Sequence, residues 1–212
     1  MKSNDNFRFI DDLIKRYPAL AVCKTDVERA VATILDTYSA GGKILLCGNG
    51  GSAADCEHIA GEMLKGFITK RPPEPHELMG LTLALGSEST ASKLQRGIPA
   101  IPLPSIVGAF SAFANDVDPE LVFAQLVYAL AKPHDLLICL STSGNSKNVV
   151  AAARVAKSLG VKTVALTGIG GGELSKICDI CISVPERETY KVQEYHLPVY
   201  HAICAEIERI LF

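Results

Sequence analysis

Residues 135–146 read DLLICLSTSGNS, and this stretch decides the fold. Its first half is a short, almost unbroken apolar run, the pattern of a strand buried on both faces. Its second half carries hydroxyls around one glycine, and helical spacing follows as far as Leu159. A buried strand that ends in a glycine-serine loop and opens a helix is half of a βαβ unit. The same succession occurs upstream: an apolar run at residues 43–47, GNGGS at residues 48–52, then a helical stretch over residues 53–65. Further strand candidates are residues 100–103, 161–167 and 179–184, and a final helix covers about residues 190–211. Before the first strand, residues 7–16 and 26–40 read as amphipathic helices separated by Pro18. The second repeats Val27, Ala30, Val31, Ile34, Leu35 and Tyr38 at helical spacing, and Gly41-Gly42 stops it. Strands alternating with helices predict an α/β fold with a parallel sheet covered on both faces. Ligands bind such sheets at the carboxyl ends of the strands, where both glycine-serine loops fall. Residues 71–97 break the rhythm with Pro72, Pro73 and Pro75 and short helical stretches, a length of connection typical of a lid or a disordered segment.

The chain has 212 residues, 48% hydrophobic and 21% charged, a balance that excludes a largely disordered protein and fits a single domain. Lys plus Arg is 21 against 23 Asp plus Glu, so the basic footprint of a nucleic-acid binder is missing. No apolar stretch is long enough to span a membrane, and residues 1–15 lack an apolar signal core, so a cytoplasmic protein is expected. The mean hydropathy of +0.23 is high for a monomer and predicts further burial at a subunit interface. Seven scattered cysteines make no disulfide framework. Cys178 and Cys181 form a lone CxxC inside a strand-like run and read as small buried hydrophobes.

The loop Ser141-Thr142-Ser143-Gly144-Asn145-Ser146 offers hydroxyl donors at a helix N-terminus, which suits a phosphate ester. It is not a Walker loop, and a plain helix cap is the bland alternative. Gly48-Asn49-Gly50-Gly51-Ser52 resembles a dinucleotide fingerprint only loosely: the third glycine and the ribose-reading acid are missing. A glycine loop that lets a sugar approach the backbone is equally compatible. His58 and Glu62 stand one helical turn apart on one face and fit a metal site, an acid/base pair, or a surface ion pair. The last helix carries Gln193, Glu194, His196 and His201; a lone helical histidine is more often a satisfied core residue. Pro198 inside that helix removes one backbone donor.

Together, GNGGSAADCEHIAGEM, FAND, LLICLSTSGNSKNV and VQEYHLPVYHAICAEIE resemble the sugar isomerase (SIS) domain, in particular its phosphoheptose isomerases. The segments occur in family order across residues 41–208, behind an N-terminal helical pair also typical of that group. The resemblance implies a five-stranded, flavodoxin-like parallel sheet within one SIS domain over residues 1–212, with helices in residues 1–40 and an inserted segment at 71–97. It implies a homotetramer with active sites between subunits, converting sedoheptulose 7-phosphate to D-glycero-D-manno-heptose 7-phosphate. Ser141, Thr142, Ser143 and Ser146 would hold phosphate; Asn49, Gly50, Ser52, Asn115, Asp116 and Gln193 would bind the sugar. His58, Glu62, Gln193 and His201 match the family's zinc ligands, one ion per subunit, with Glu62 as carbon base and His201 moving oxygen protons. Tyr190 stands where some members carry aspartate, and residues 71–97 are longer than expected, so another phosphosugar is a competing substrate. A non-catalytic phosphosugar-binding or replication-regulator-like protein on the same fold is the competing class.

Overall fold

The computed structural model describes residues 7–212; Met1 to Asn6, part of the N-terminal stretch read above for a signal core, lie outside it. Helices α1 (Arg8–Arg16) and α2 (Lys24–Ser39) precede β1 (Ile44–Cys47) and α3 (Gly51–Leu64). Then come α4 (Pro75–Leu85), α5 (Glu88–Ala91), β2 (Ala100–Pro102), α6 (Val107–Asp116) and α7 (Val122–Leu130). The second half is β3 (Leu136–Leu140), α8 (Lys147–Ser158), β4 (Lys162–Thr167), α9 (Leu174–Ile177), β5 (Ile180–Ser183) and α10 (Thr189–Leu211).

The five strands are all parallel, in the order β2-β1-β3-β4-β5, the flavodoxin-like arrangement. Alternate side chains sort onto two faces, as the pleat requires. Ile44, Leu46, Leu136, Ile138 and Leu140 pack with the helical layer of α1, α2, α3 and α10. Leu45, Cys47, Leu137 and Cys139 pack with α7 and α8 on the other side. The strand order reverses between β1 and β3, which share a register of Ile44 opposite Leu136 through Cys47 opposite Cys139. Their carboxyl ends therefore deliver GNGGS and STSGNS side by side at the switch point.

Residues 71–97 do contain short helices, α4 and α5. Helices α6 and α7 were not anticipated, because an apolar run such as VFAQLVYAL lacks the polar face that marks helical periodicity. Pro198 sits inside a continuous α10. All seven cysteines are free thiols, including Cys178 and Cys181.

Candidate active site

The hydroxyl loop closes on itself. Gly144 has φ 66°, donates its N–H to the Ser141 carbonyl at 3.0 Å, and approaches Gly171 so closely that a Cβ would lie 2.0 Å from its carbonyl oxygen. The Ser141 and Ser146 hydroxyls meet at 2.9 Å, and the Ser143 hydroxyl accepts from the Asn145 amide at 3.2 Å. Ser146 occupies the N-cap position of α8 yet makes no capping bond. The bland helix-cap role is therefore not what its hydroxyl does, and the positive end of α8 stands beside grouped hydroxyl donors. Asn49 and Asn148 exchange a reciprocal pair of 2.9 Å amide hydrogen bonds that tie the first loop to the second. Gly50 has φ 54° and Ser52 is buried one residue into α3. A small cleft between Asn49, Pro119, Glu120, Ser146 and Lys147 lies at this junction.

Along α3, His58 and Glu62 face α10. His58 Nε2 lies 3.3 Å from Glu62 Oε1 and 3.3 Å from His201 Nε2. Burial and the neighbouring His58 hold the His201 imidazole below its ordinary range. On its other side His58 Nδ1 lies 3.0 Å from the Tyr200 hydroxyl, which donates to Asp55 Oδ1 at 3.2 Å. Burial is the main cause that raises both the Tyr200 phenol and the Asp55 carboxyl. Phe67 packs 5.4 Å from the His201 ring, on the edge of a cavity of about 350 Å³ lined also by Arg16, Tyr17 and Leu197.

The loop that carries Phe67 is held by a buried ion pair. Glu208 accepts from the amides of Phe67 (2.8 Å), Ile68 (2.8 Å) and Thr69 (3.0 Å) and from Arg71 Nε at 2.8 Å. Burial pushes the Glu208 carboxyl up, but these four donors outweigh it and leave it below the ordinary range. Arg71, fully buried, donates onward to the carbonyls of Met63 (2.7 Å) and Glu62 (2.9 Å), which satisfies the open C-terminal end of α3. The backbone of Glu62 is thereby fixed from outside its helix.

The sequence-derived residues are thus not all brought together within one chain. His58, Glu62 and His201 converge. Gln193 lies instead against Gly51 at the start of α3, where a Cβ would come within 2.5 Å of its Nε2. Asn115 and Asp116 bond each other at 2.9 Å at the end of α6 and make no hydrogen bond to either loop among the described residues. Asp55, Tyr200, Arg71 and Glu208 were missed; only the nearness of Asp55 to His58 and of Tyr200 to His201 along the chain could have flagged two of them. His196 is buried as expected but not satisfied, since neither ring nitrogen has a partner among the described residues.

The donor chemistry of the cluster fits a zinc ion. Nitrogen and oxygen ligands about 2.0–2.1 Å from a tetrahedral centre stand about 3.3 Å apart. Both separations measured from His58 Nε2 have that value. Among the described residues no three His, Cys, Asp or Glu side chains already surround one ion-sized point, so the pairs on His58 are in place and full closure is not.

The chain is similar to known proteins over most of its length. The sequence profile of the SIS domain matches residues 8–101 and 97–168. The phosphoheptose isomerase of Akkermansia muciniphila is 37% identical over 196 residues, 92% of this chain and 91% of that one. The structure of phosphoheptose isomerase from Neisseria gonorrhoeae superposes with a TM-score of 0.74 at 30% identity, over 95% of this chain and 96% of that one. The structure of a phosphoheptose isomerase from Francisella tularensis gives 0.76 at 27% identity, over 95% of each.

Proposed function

This chain belongs to the SIS domain family, among its phosphoheptose isomerases, and from that premise we propose that it interconverts sedoheptulose 7-phosphate and D-glycero-D-manno-heptose 7-phosphate. The observation that carries the reading is the convergence of Glu62, His58 and His201 on two neighbouring helices, one of which starts from the loop beside the STSGNS phosphate cradle. The STSGNS hydroxyls and the start of α8 hold the phosphate end through Ser141, Thr142, Ser143 and Ser146. Asn49, Gly50 and Ser52 present donors and open backbone to the sugar, as do Asn115, Asp116 and Gln193.

Going from ketose to aldose, Glu62 takes the proton from the carbon beside the carbonyl, and the electron pair moves to form the enediol. The former carbonyl oxygen becomes a hydroxyl. Glu62 then returns a proton to the former carbonyl carbon while the neighbouring hydroxyl loses its proton and becomes the new carbonyl. His201 carries the proton between the two oxygens. Its depressed basicity favours the neutral ring, whose nitrogen not engaged with the ion can take a proton and give it back. His58, Glu62, Gln193 and His201 would hold one zinc ion, whose contribution as a Lewis acid is to polarise the carbonyl and stabilise enediolate charge.

The same reading makes the enzyme a cytoplasmic homotetramer. Among the described residues no helix is long and apolar enough to cross a membrane, and seven free thiols suit a reducing compartment. Neither α4 nor α6 contains a buried residue, although Met79, Leu83 and Val107 on them are large and apolar. Such faces support subunit contacts, and the inserted segment at 71–97 then serves the interface more than a roof over the pocket. The separation of Asn115 and Asp116 from the loops in one chain supports sites completed between subunits.

The test is deuterium wash-in. Zinc-loaded protein is incubated with sedoheptulose 7-phosphate in deuterium oxide and followed by NMR. Deuterium beside the carbonyl with an aldoheptose signal is expected; no exchange in metal-replete protein would sink the assignment.

A further inference from the structure

We infer that Asp55 and Tyr200 are positioning residues that hold His58 in the Nδ1–H tautomer, so that its Nε2 lone pair faces Glu62 and His201. The inference rests on the site proposed above and concerns how that site is kept ready. A phenol has one proton to give. The Tyr200 oxygen lies 3.2 Å from Asp55 Oδ1 and 3.0 Å from His58 Nδ1. If the proton went to His58, a phenol lone pair would face a carboxylate lone pair. The ionised Asp55 therefore takes it, and the Tyr200 oxygen presents a lone pair to His58. Nδ1 must then carry hydrogen, and Nε2 is left bare.

Two further observations make the chain of bonds more than a chance contact. Tyr200 is 2% exposed, so water is not at hand to replace its hydroxyl. Its ring stands edge-on to both imidazoles, at 5.4 Å from His58 and 5.0 Å from His201, which limits how far either can turn. Asp55 itself gains little from its place: among the described residues Oδ2 is buried without a partner, and the only side-chain hydrogen bond of this carboxylate is to Tyr200. A half-buried carboxylate with one bond stabilises the fold little, whereas outer partners that fix a histidine tautomer are a general feature of metal and acid/base sites.

The tautomer is read directly in the metal-free protein by NMR of nitrogen-15 histidine, with the His58 signals assigned by their loss in His58→Gln. A pyrrole-type Nδ1 and a pyridine-type Nε2 are expected. In Asp55→Asn the amide can donate to the Tyr200 oxygen and reverse the chain, so the proton should move to Nε2. Tyr200→Phe should leave the tautomers mixed. Both variants should bind zinc about 10- to 100-fold more weakly in chelator competition. If Tyr200→Phe does not fold, the wild-type tautomer and Asp55→Asn still decide. A wild-type His58 protonated on Nε2 overturns the inference, as do variants that keep both the wild-type tautomer and the wild-type zinc affinity. Wild-type protein that binds no zinc refutes the metal assignment instead, and the tautomer of the metal-free protein still judges the relay.

Discussion

Acidification from about pH 7.5 to about pH 5 should remove about 2 kcal/mol of stability through His196 alone. The imidazole is fully buried, neither ring nitrogen has a hydrogen-bond partner among the described residues, and its pKa is lowered from 6.5 to about 4. Burial is the main cause; the Thr167 backbone lies near enough to oppose it slightly without forming a bond. The sign follows from proton binding. Below 6.5 the unfolded chain takes up a proton that the folded chain refuses until about 4, so the stability present above 6.5 is lost as pH falls through that window. The whole window is worth about 3 kcal/mol, and the part above pH 5 about 2 kcal/mol. Urea unfolding at fixed protein concentration, at both pH values, measures it. Carboxylates contribute their own pH dependence to every variant, so the informative quantity is the difference between wild type and His196→Leu. The variant should lose about 2 kcal/mol less on acidification. Equal losses in the two proteins would refute the reasoning and mean that the ring finds a partner or reaches water.

Glu62→Gln should lower kcat by about 10²- to 10⁴-fold, abolish deuterium exchange and leave the circular dichroism spectrum unchanged. Gly144→Ala places a Cβ 2.0 Å from the Gly171 carbonyl oxygen at a φ of 66°, so the STSGNS loop must move; if that loop holds the phosphate, KM for the sugar phosphate should rise and inhibition by inorganic phosphate should weaken. Arg71→Met strips the buried Glu208 of its cation and should cost about 3–5 kcal/mol in urea unfolding, with the double variant Arg71→Met, Glu208→Gln recovering part of it. Gly51→Ala puts a methyl 2.5 Å from Gln193 Nε2; if Gln193 is a zinc ligand, chelator competition should show weaker binding with little change in unfolding midpoint.

What the sequence made legible is what the chain encodes locally. The strands β1 and β3 are continuous apolar runs closed by glycine-serine loops, and run, loop and helix lie within about twenty residues of one another. Their pairing then follows from the parallel-sheet rule, since a right-handed crossover leaves few alternatives. The STSGNS loop was legible for the same reason, because its hydroxyls and the start of α8 are one continuous stretch. Helices α6 and α7 were not, because apolar residues such as Val107 and Tyr128 stand on their exposed sides, so the sequence lacks the polar stripe by which periodicity is recognised.

The site divides along the same line, and the reason is partner choice across distance. His58 and Glu62 share a helix face, so their proximity is a matter of spacing. His58 and Tyr200 meet across 142 positions, and Arg71 and Glu208 across 137. Nothing in the spacing of a tyrosine beside a histidine says whether its hydroxyl meets a carboxylate, water or another ring. The consequences run in opposite directions for the two histidines of α10. His201 faces outward toward a second histidine and a carboxylate, and is the one proposed to move protons. His196, five residues earlier and turned into the layer beneath, has no group to give a proton to, and burial makes protonation costly. The same helix therefore carries one imidazole placed for chemistry and another that makes the helix vulnerable to acid. The isomerase should lose activity below about pH 5 through loss of α10 packing. A pH-inactivation profile that follows the unfolding transition of wild type, and shifts to lower pH in His196→Leu, would establish that cause. Inactivation at unchanged pH in the variant would place the acid limit in the catalytic groups instead.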